Sequence, residues 1–212
     1  FIEGNGFAND FSGLTPPWDD NMVYSFHKYW NYTSRESISF ALNLRNNYNI
    51  PIWMGESGEN SNVWFTGAVG LFESERIGWS WWPVKKPGLN NPLMVTVNDD
   101  YTQLVNYWRG SASRPTEEEA FSAVLQFAEN HRLENCSFQK DVVDALIRQP
   151  QTTETIPFKL VRTGEPVFAS DYNLGRSSYA YVDTDSANYR LSTDVNVIWN
   201  QGYRYRTVSY TH

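Results

Sequence analysis

The residue in this chain best placed for chemistry is Glu56, set between Gly55 and Ser57-Gly58 in the stretch PIWMGESGENSN. The apolar run Pro51-Ile52-Trp53-Met54 before it reads as a buried strand. A carboxylate beside a core is costly unless it is paired or has a chemical task, and the flanking glycines would let a substrate come close. Two readings of Glu56 stand: a catalytic carboxylate at a strand end, or an acidic residue in a strand-to-helix turn. Glu59, three residues on, reads as a first-turn helix carboxylate. His27 and Tyr29 are two apart in MVYSFHKYW, so on a strand they share a side and could orient a carboxylate by hydrogen bonds. His27 also reads as an ordinary core or surface histidine.

Other chemistries lack their residues. The three histidines, His27, His131 and His212, are scattered, with no second ligand at metal spacing, so no metal or other cofactor is expected. No Gly-x-Ser-x-Gly elbow occurs, and Cys136 has no histidine near it at catalytic spacing. As the only cysteine it also excludes an internal disulfide framework. The net charge of −7 and the lack of a basic block argue against a nucleic-acid partner. No apolar run reaches the roughly 18–20 residues that span a bilayer, so no membrane partner is expected. The nine Trp among 212 residues are a high count; such rings either fill a core or collect where flat amphipathic ligands bind.

The elements that must position these residues alternate. Apolar, β-branched or aromatic segments at Phe1–Glu3, Met22–Phe26, Ile50–Met54 and Ile77–Trp82 read as strands. Thr33 and Glu36 stand at capping-box spacing ahead of a helical face of Ile38, Leu42 and Leu44. SNVWFTGAVGLFESER supplies a second helix, and the later strands start roughly 27 residues apart, near the size of a βαβ unit. Each strand ends in polar or aromatic residues, as where (β/α)8 barrels assemble their sites. The expected class is therefore α/β, four strands that look like half of a (β/α)8 TIM barrel, followed by a partial all-β module; the resemblance described next implies that this is the C-terminal half, strands 5–8. An open doubly wound sheet is the competing architecture, but its glycine fingerprint is missing. Helices are expected in DDYTQLVNYWRG, in RPTEEEAFSAVLQFAENHRLEN with Thr116 and Glu119 as capping box, and in QKDVVDALIRQ. Residues 1–150 read as the α/β part, which the resemblance described next implies is the catalytic one, 151–157 as a linker and 158–212 as a β-rich module.

Taken together, FIEGNGFANDF, MVYSFHKYW, PIWMGESGE and IGWSWWPVKK resemble strands five to eight of the family 5 glycoside hydrolases, the cellulase family. The resemblance covers about residues 1–110. It implies a retaining glycoside hydrolase acting on β-linked polysaccharide, foremost an endo-β-1,4-glucanase. Mannan, xyloglucan or β-1,3-glucan are alternative substrates, and a non-catalytic carbohydrate-binding protein is the alternative from another class. It places Glu56 on the nucleophile, His27 and Tyr29 on the pair around it, and Trp81 or Trp82 on the sugar-stacking platform. Ser57 departs from the aromatic residue more usual there.

The family's proton donor is a Glu in an Asn-Glu-Pro motif ending strand four, and these residues contain no such motif. The sequence is therefore expected to be a fragment, inactive alone, of a secreted or cell-surface enzyme. Glu3 is not expected to substitute, because it reads as lying inside its strand. FASDYNLGRSSYAYVDTDSANYR and WNQGYRYR resemble the opening half of a family 6 carbohydrate-binding module. Ser170 stands where that family's calcium-holding Glu is usual, and Tyr203 and Tyr205 are candidates for its cleft.

Overall fold

In the computed structural model of the chain, residues 1–88, 90–168 and 171–182 are described. They form two compact units, Phe1–Trp82 with the residues from Asp141 onward, and Pro83–Lys140. Ser170, Tyr203 and Tyr205 lie outside the described residues.

The first unit is built on a parallel sheet of four strands in sequence order. These are β1 (Ile2–Glu3), β2 (Tyr24–Lys28), β3 (Ile52–Ser57) and β4 (Gly78–Trp79). A kinked helical turn, α1 (Asn5–Ala8), and an irregular loop lead from β1 to β2. Helices α2 (Ser39–Tyr48) and α3 (Asn62–Ser74) make the next two crossovers. The architecture is thus α/β with consecutive βαβ units, as the alternating pattern requires. The strands are displaced from their expected bounds. In particular, β3 runs on through Glu56 to Ser57, and β4 is only two residues long.

One face of this sheet is a core. Tyr24, Phe26, Ile52 and Met54 are buried on it, and the Phe26 and Phe40 rings meet edge to face with centroids 5.7 Å apart. From α2 come Ala41 and Leu42, preceded by Ile38; from α3 come Trp64, Phe65, Ala68, Val69 and Phe72. Each of the larger aliphatic and Phe side chains contributes about 1.5–3 kcal/mol when fully buried. Leu44, expected on the helical face, is only half-buried, and Ala41 is inside instead. Asn49 closes α2 in the left-handed conformation with φ 49°, a role Asn fills well.

Two helix starts differ from the expected ones. Thr33 caps nothing: residues Arg35–Ile38 form a 3-10 turn behind Ser34, and α2 begins only at Ser39. The helix after β3 starts at Asn62, where the Ser61 side chain accepts from the Trp64 N–H. Glu59 therefore precedes that helix, with φ 53°, instead of lying in its first turn.

Farther along, α6 (Lys140–Ile147) is tied to α3. Asn62 Nδ2 donates to Asp141 at 3.2 Å and Thr66 Oγ1 donates to the Ala145 carbonyl at 3.0 Å. In the expected linker, Ile156 pairs with Leu174 by two backbone hydrogen bonds of 3.0 and 2.8 Å. Among the described residues after 157 no strand forms beyond isolated bridges. Pro157, Gly164 and Pro166 interrupt the alternation that suggested strands.

The second unit holds β5 (Lys85–Lys86), β6 (Leu93–Met94), α4 (Asp99–Trp108), α5 (Glu117–Asn130) and β7 (Ser137–Phe138). The expected capping box is present: Thr116 Oγ1 accepts from the Glu119 N–H, and Glu119 accepts from the Thr116 N–H at 2.8 Å. Tyr101 of α4 and Phe127 of α5 stack at 3.9 Å.

Lys28, at the end of β2, points into the core face and is 2% exposed. Its ammonium donates to Asn31 Oδ1, to the Tyr32 carbonyl at 2.7 Å and to Ser37 Oγ at 2.8 Å, all neutral oxygens. Burial pulls its pKa from 10.5 down to about 7. Between those values the unfolded chain binds the extra proton, so stability rises with pH across the window. This one group contributes at most about 1.4 kcal/mol per pH unit. Tyr29, raised above its usual 10.0, acts with the opposite sign only beyond the upper end. Urea unfolding between pH 7 and 10 should show the rise, and Lys28→Met should flatten it.

Candidate active site

Along β3 the burial pattern alternates until Gly55 and Glu56, which both lie on the more open side, and Ser57 is buried again. The pairing shows why. Phe26 is opposite Met54, but His27 is opposite Glu56 and Lys28 opposite Ser57, so β3 carries one extra residue. The other neighbour absorbs the same surplus: the Ser80 N–H donates to Met54 at 3.0 Å and the Trp82 N–H donates to Ser57 at 2.7 Å. A bulge of one residue reverses the side on which every later side chain emerges. Without it Glu56 would follow Met54 into the apolar core. With it, Glu56 stands on the open face beside His27, and the side chain there is 33% exposed.

Gly55 hosts the bulge, and a Cβ on it would lie 2.2 Å from Ser25 Oγ. Gly58 has φ 146°, and its Cβ would fall 2.0 Å from the Trp82 carbonyl oxygen. The two glycines are required by backbone packing as well as by access to the carboxylate.

Glu56 is held from two sides. The Tyr29 phenol donates a short hydrogen bond to Oε1, and His27 Nε2 stands 3.6 Å from Oε2. Burial, then the hydrogen bond to Glu56 and its charge, push the Tyr29 pKa upward, so the phenol stays protonated and remains a donor. Tyr29 lies just beyond β2, in the loop that Lys28 fixes from beneath through Asn31, Tyr32 and Ser37. The Asn31 carbonyl also accepts from Trp64 Nε1 at 2.8 Å. A buried ammonium and an indole of α3 thus set where the phenol sits.

Sequence reasoning left Trp81 and Trp82 undecided, and their environments differ sharply. Trp81 is packed against Phe65, Trp79 and Trp64, with centroids at 5.0, 5.9 and 6.3 Å. Trp82 is 54% exposed at the position bridged to Gly58, two residues past Glu56. Of the two rings, Trp82 is the more accessible, and Trp81 is half-buried.

The residue that sequence reasoning missed is Glu3. At the end of β1, its Oε1 lies 2.5 Å from His27 Nε2, and its side chain is 57% exposed. The cluster is therefore Glu3, His27, Tyr29 and Glu56, drawn from three neighbouring strand ends. Its signal in the sequence was the strand-terminal position in Phe1-Ile2-Glu3-Gly4, the same placement that singled out Glu56. No group of His, Cys, Asp and Glu among the described residues is arranged to hold a metal ion. Comparisons with protein-family models, curated proteins and solved structures found no match to this chain.

The two glycines give a direct check of the geometry. Gly58→Ala should cost about 2 kcal/mol or more, since it adds both a clash and a strained φ. Gly70→Ala, inside α3 with open space around its Cβ position, should be neutral or gain up to about 1 kcal/mol. Urea midpoints of the two variants should move in these directions; equal midpoints would contradict the approach of Gly58 to Trp82.

Proposed function

We propose that Glu56 is the nucleophile of a retaining glycoside hydrolase acting on β-linked polysaccharide, with a β-1,4-glucan as its first substrate. The observation that carries this reading is the bulge, which takes one carboxylate out of the core and sets it between a phenol donor and an imidazole on an open face. The exposed Trp82 beside the same strand end supports it, because sugar rings stack on accessible indoles. The four parallel strands are read as strands five to eight of a (β/α)8 barrel, whose chemistry gathers at C-terminal strand ends.

The mechanism follows from these parts. Glu56 attacks the anomeric carbon through Oε2, the oxygen not engaged by Tyr29. The neutral phenol on Oε1 keeps the carboxylate in one orientation, a positioning effect. Trp82 fixes the plane of the sugar. A retaining enzyme needs a second carboxyl group about 5–5.5 Å away to protonate the leaving oxygen and then activate water. In the family that the sequence resembles, that donor is a Glu in an Asn-Glu-Pro motif.

The test assays the natural gene product on soluble β-1,4-glucan, mannan, xyloglucan and β-1,3-glucan, with and without Glu56→Gln. The variant should lose about three orders of magnitude or more in kcat, roughly 4 kcal/mol of barrier. A fluorinated glycoside should label Glu56 in the parent protein. Label on another residue, or a variant that keeps most of its rate, would overturn the assignment. Tight binding of glucan without turnover would favour the non-catalytic reading instead.

A further inference from the structure

We infer that Glu3 is a positioning residue of this site, acting on the nucleophile through His27. The inference rests on the reading of Glu56 above, but its central claim concerns the Glu3–His27 pair and can be tested by itself.

The geometry is specific. One nitrogen, His27 Nε2, faces two carboxylates: Glu3 at 2.5 Å and Glu56 at 3.6 Å. An unprotonated imidazole nitrogen would point its lone pair at an oxygen that is also electron-rich, so the proton sits on Nε2. Nε2 carries one hydrogen, and the shorter contact claims it. At 3.6 Å Glu56 is beyond ordinary hydrogen-bond distance, and it interacts with the ring by charge and dipole alone.

The two oxygens of Glu56 then differ in state. Oε1 accepts from Tyr29, whereas among the described residues no donor lies within hydrogen-bond distance of Oε2. This is the oxygen that must bond to carbon. Without Glu3, two alternatives open. The Nε2 hydrogen turns to Glu56 and occupies the attacking oxygen, or the ring adopts the Nδ1 tautomer and sets a lone pair against it. Either one weakens the nucleophile.

The pairing also depends on β1 lying next to β2. The register sets Glu3 opposite Ser25, two residues short of His27, and the length of the Glu3 side chain spans that offset. An Asp at position 3 would be one methylene shorter and would fall short of the ring. A Gln would keep the reach and a carbonyl acceptor while losing the charge.

The experiment is long-range proton–nitrogen NMR of the natural gene product labelled with 15N-histidine, with His27 assigned by His27→Gln. Glu3→Gln, Glu3→Ala and Glu3→Asp are then compared with the parent. The parent and Glu3→Gln should show His27 protonated on Nε2. Glu3→Ala and Glu3→Asp should show either the Nδ1 tautomer or an Nε2 proton whose chemical shift has moved as it turns to Glu56. In the glucan assay Glu3→Ala should lower kcat by about 10- to 100-fold, the scale of a misplaced reacting group. KM should stay within about twofold, and Glu3→Gln should recover most of the rate. Glu3→Gln, close in shape to the parent residue, guards against a folding defect.

An unchanged His27 signal in Glu3→Ala would overturn the proposal, as would a loss confined to KM. Failure of the nucleophile reading would look different: Glu56→Gln would stay active while the tautomer still followed residue 3.

Discussion

The site depends on one surplus residue in β3. A strand sends its side chains alternately to its two faces, and in this sheet one face is committed to the core by Tyr24, Phe26, Ile52 and Met54. Position 56 lies an even number of residues from both Ile52 and Met54, so regular pleating would place its carboxylate among them. Burying an unpaired carboxylate there would cost several kcal/mol. The bulge at Gly55 removes the conflict, and it returns Ser57 to the buried side beside Lys28. A local irregularity in backbone pairing is thus what joins a stable core to an accessible acid.

The surroundings hold that irregularity in place. Ser25 lies over Gly55, Ser80 Oγ donates to the Gly55 carbonyl at 2.5 Å, and Trp82 closes over Gly58. Both neighbours of β3 therefore grip the displaced segment. The loop carrying Tyr29 is secured differently. Lys28 is buried without a carboxylate among its hydrogen-bond partners, and its amino group is met by three neutral oxygens of a single loop. An ion pair would have anchored one point. Three acceptors within ten residues fix the course of the backbone, and with it the phenol.

Much of the frame was legible in the sequence, and the exceptions share a cause. The order of strands and helices and the capping box at Thr116 and Glu119 follow from local pattern, whereas the nearness of His27 and Tyr29 to Glu56 was implied by the family resemblance. Local pattern could not reveal the bulge, because an extra residue shows only against the strand it pairs with. The cap at Thr33 misled because the turn starts one position later, at Ser34, and runs as a 3-10 turn with no side-chain cap. Glu59 misled for a related reason: Ser61 offers its hydroxyl at the helix start, so the acidic residue is left outside. Glu3 was set aside as strand-interior, although β1 ends on it. Trp81 and Trp82 are indistinguishable by composition. They separate only once Phe65 and Trp64 are seen to cover one of them.

Parallel strands bring such a cluster together for a geometric reason. Neighbouring strand ends lie about 4.8 Å apart, close to the reach of a carboxylate or an imidazole across one interval. Glu3, His27 and Glu56 occupy three successive ends, so each ring or carboxylate meets only its neighbour, and His27 in the middle meets both. The central position therefore governs how charge is shared. A second carboxylate placed directly beside Glu56 would compete with it for protons. With an imidazole in between, one donor separates the two acids, and Tyr29 completes the hydrogen bonding of the acid on the far side. The order acid, imidazole, acid across the sheet allows two carboxylates to stand at one mouth, each with one oxygen engaged, that of Glu3 by His27 and that of Glu56 by Tyr29.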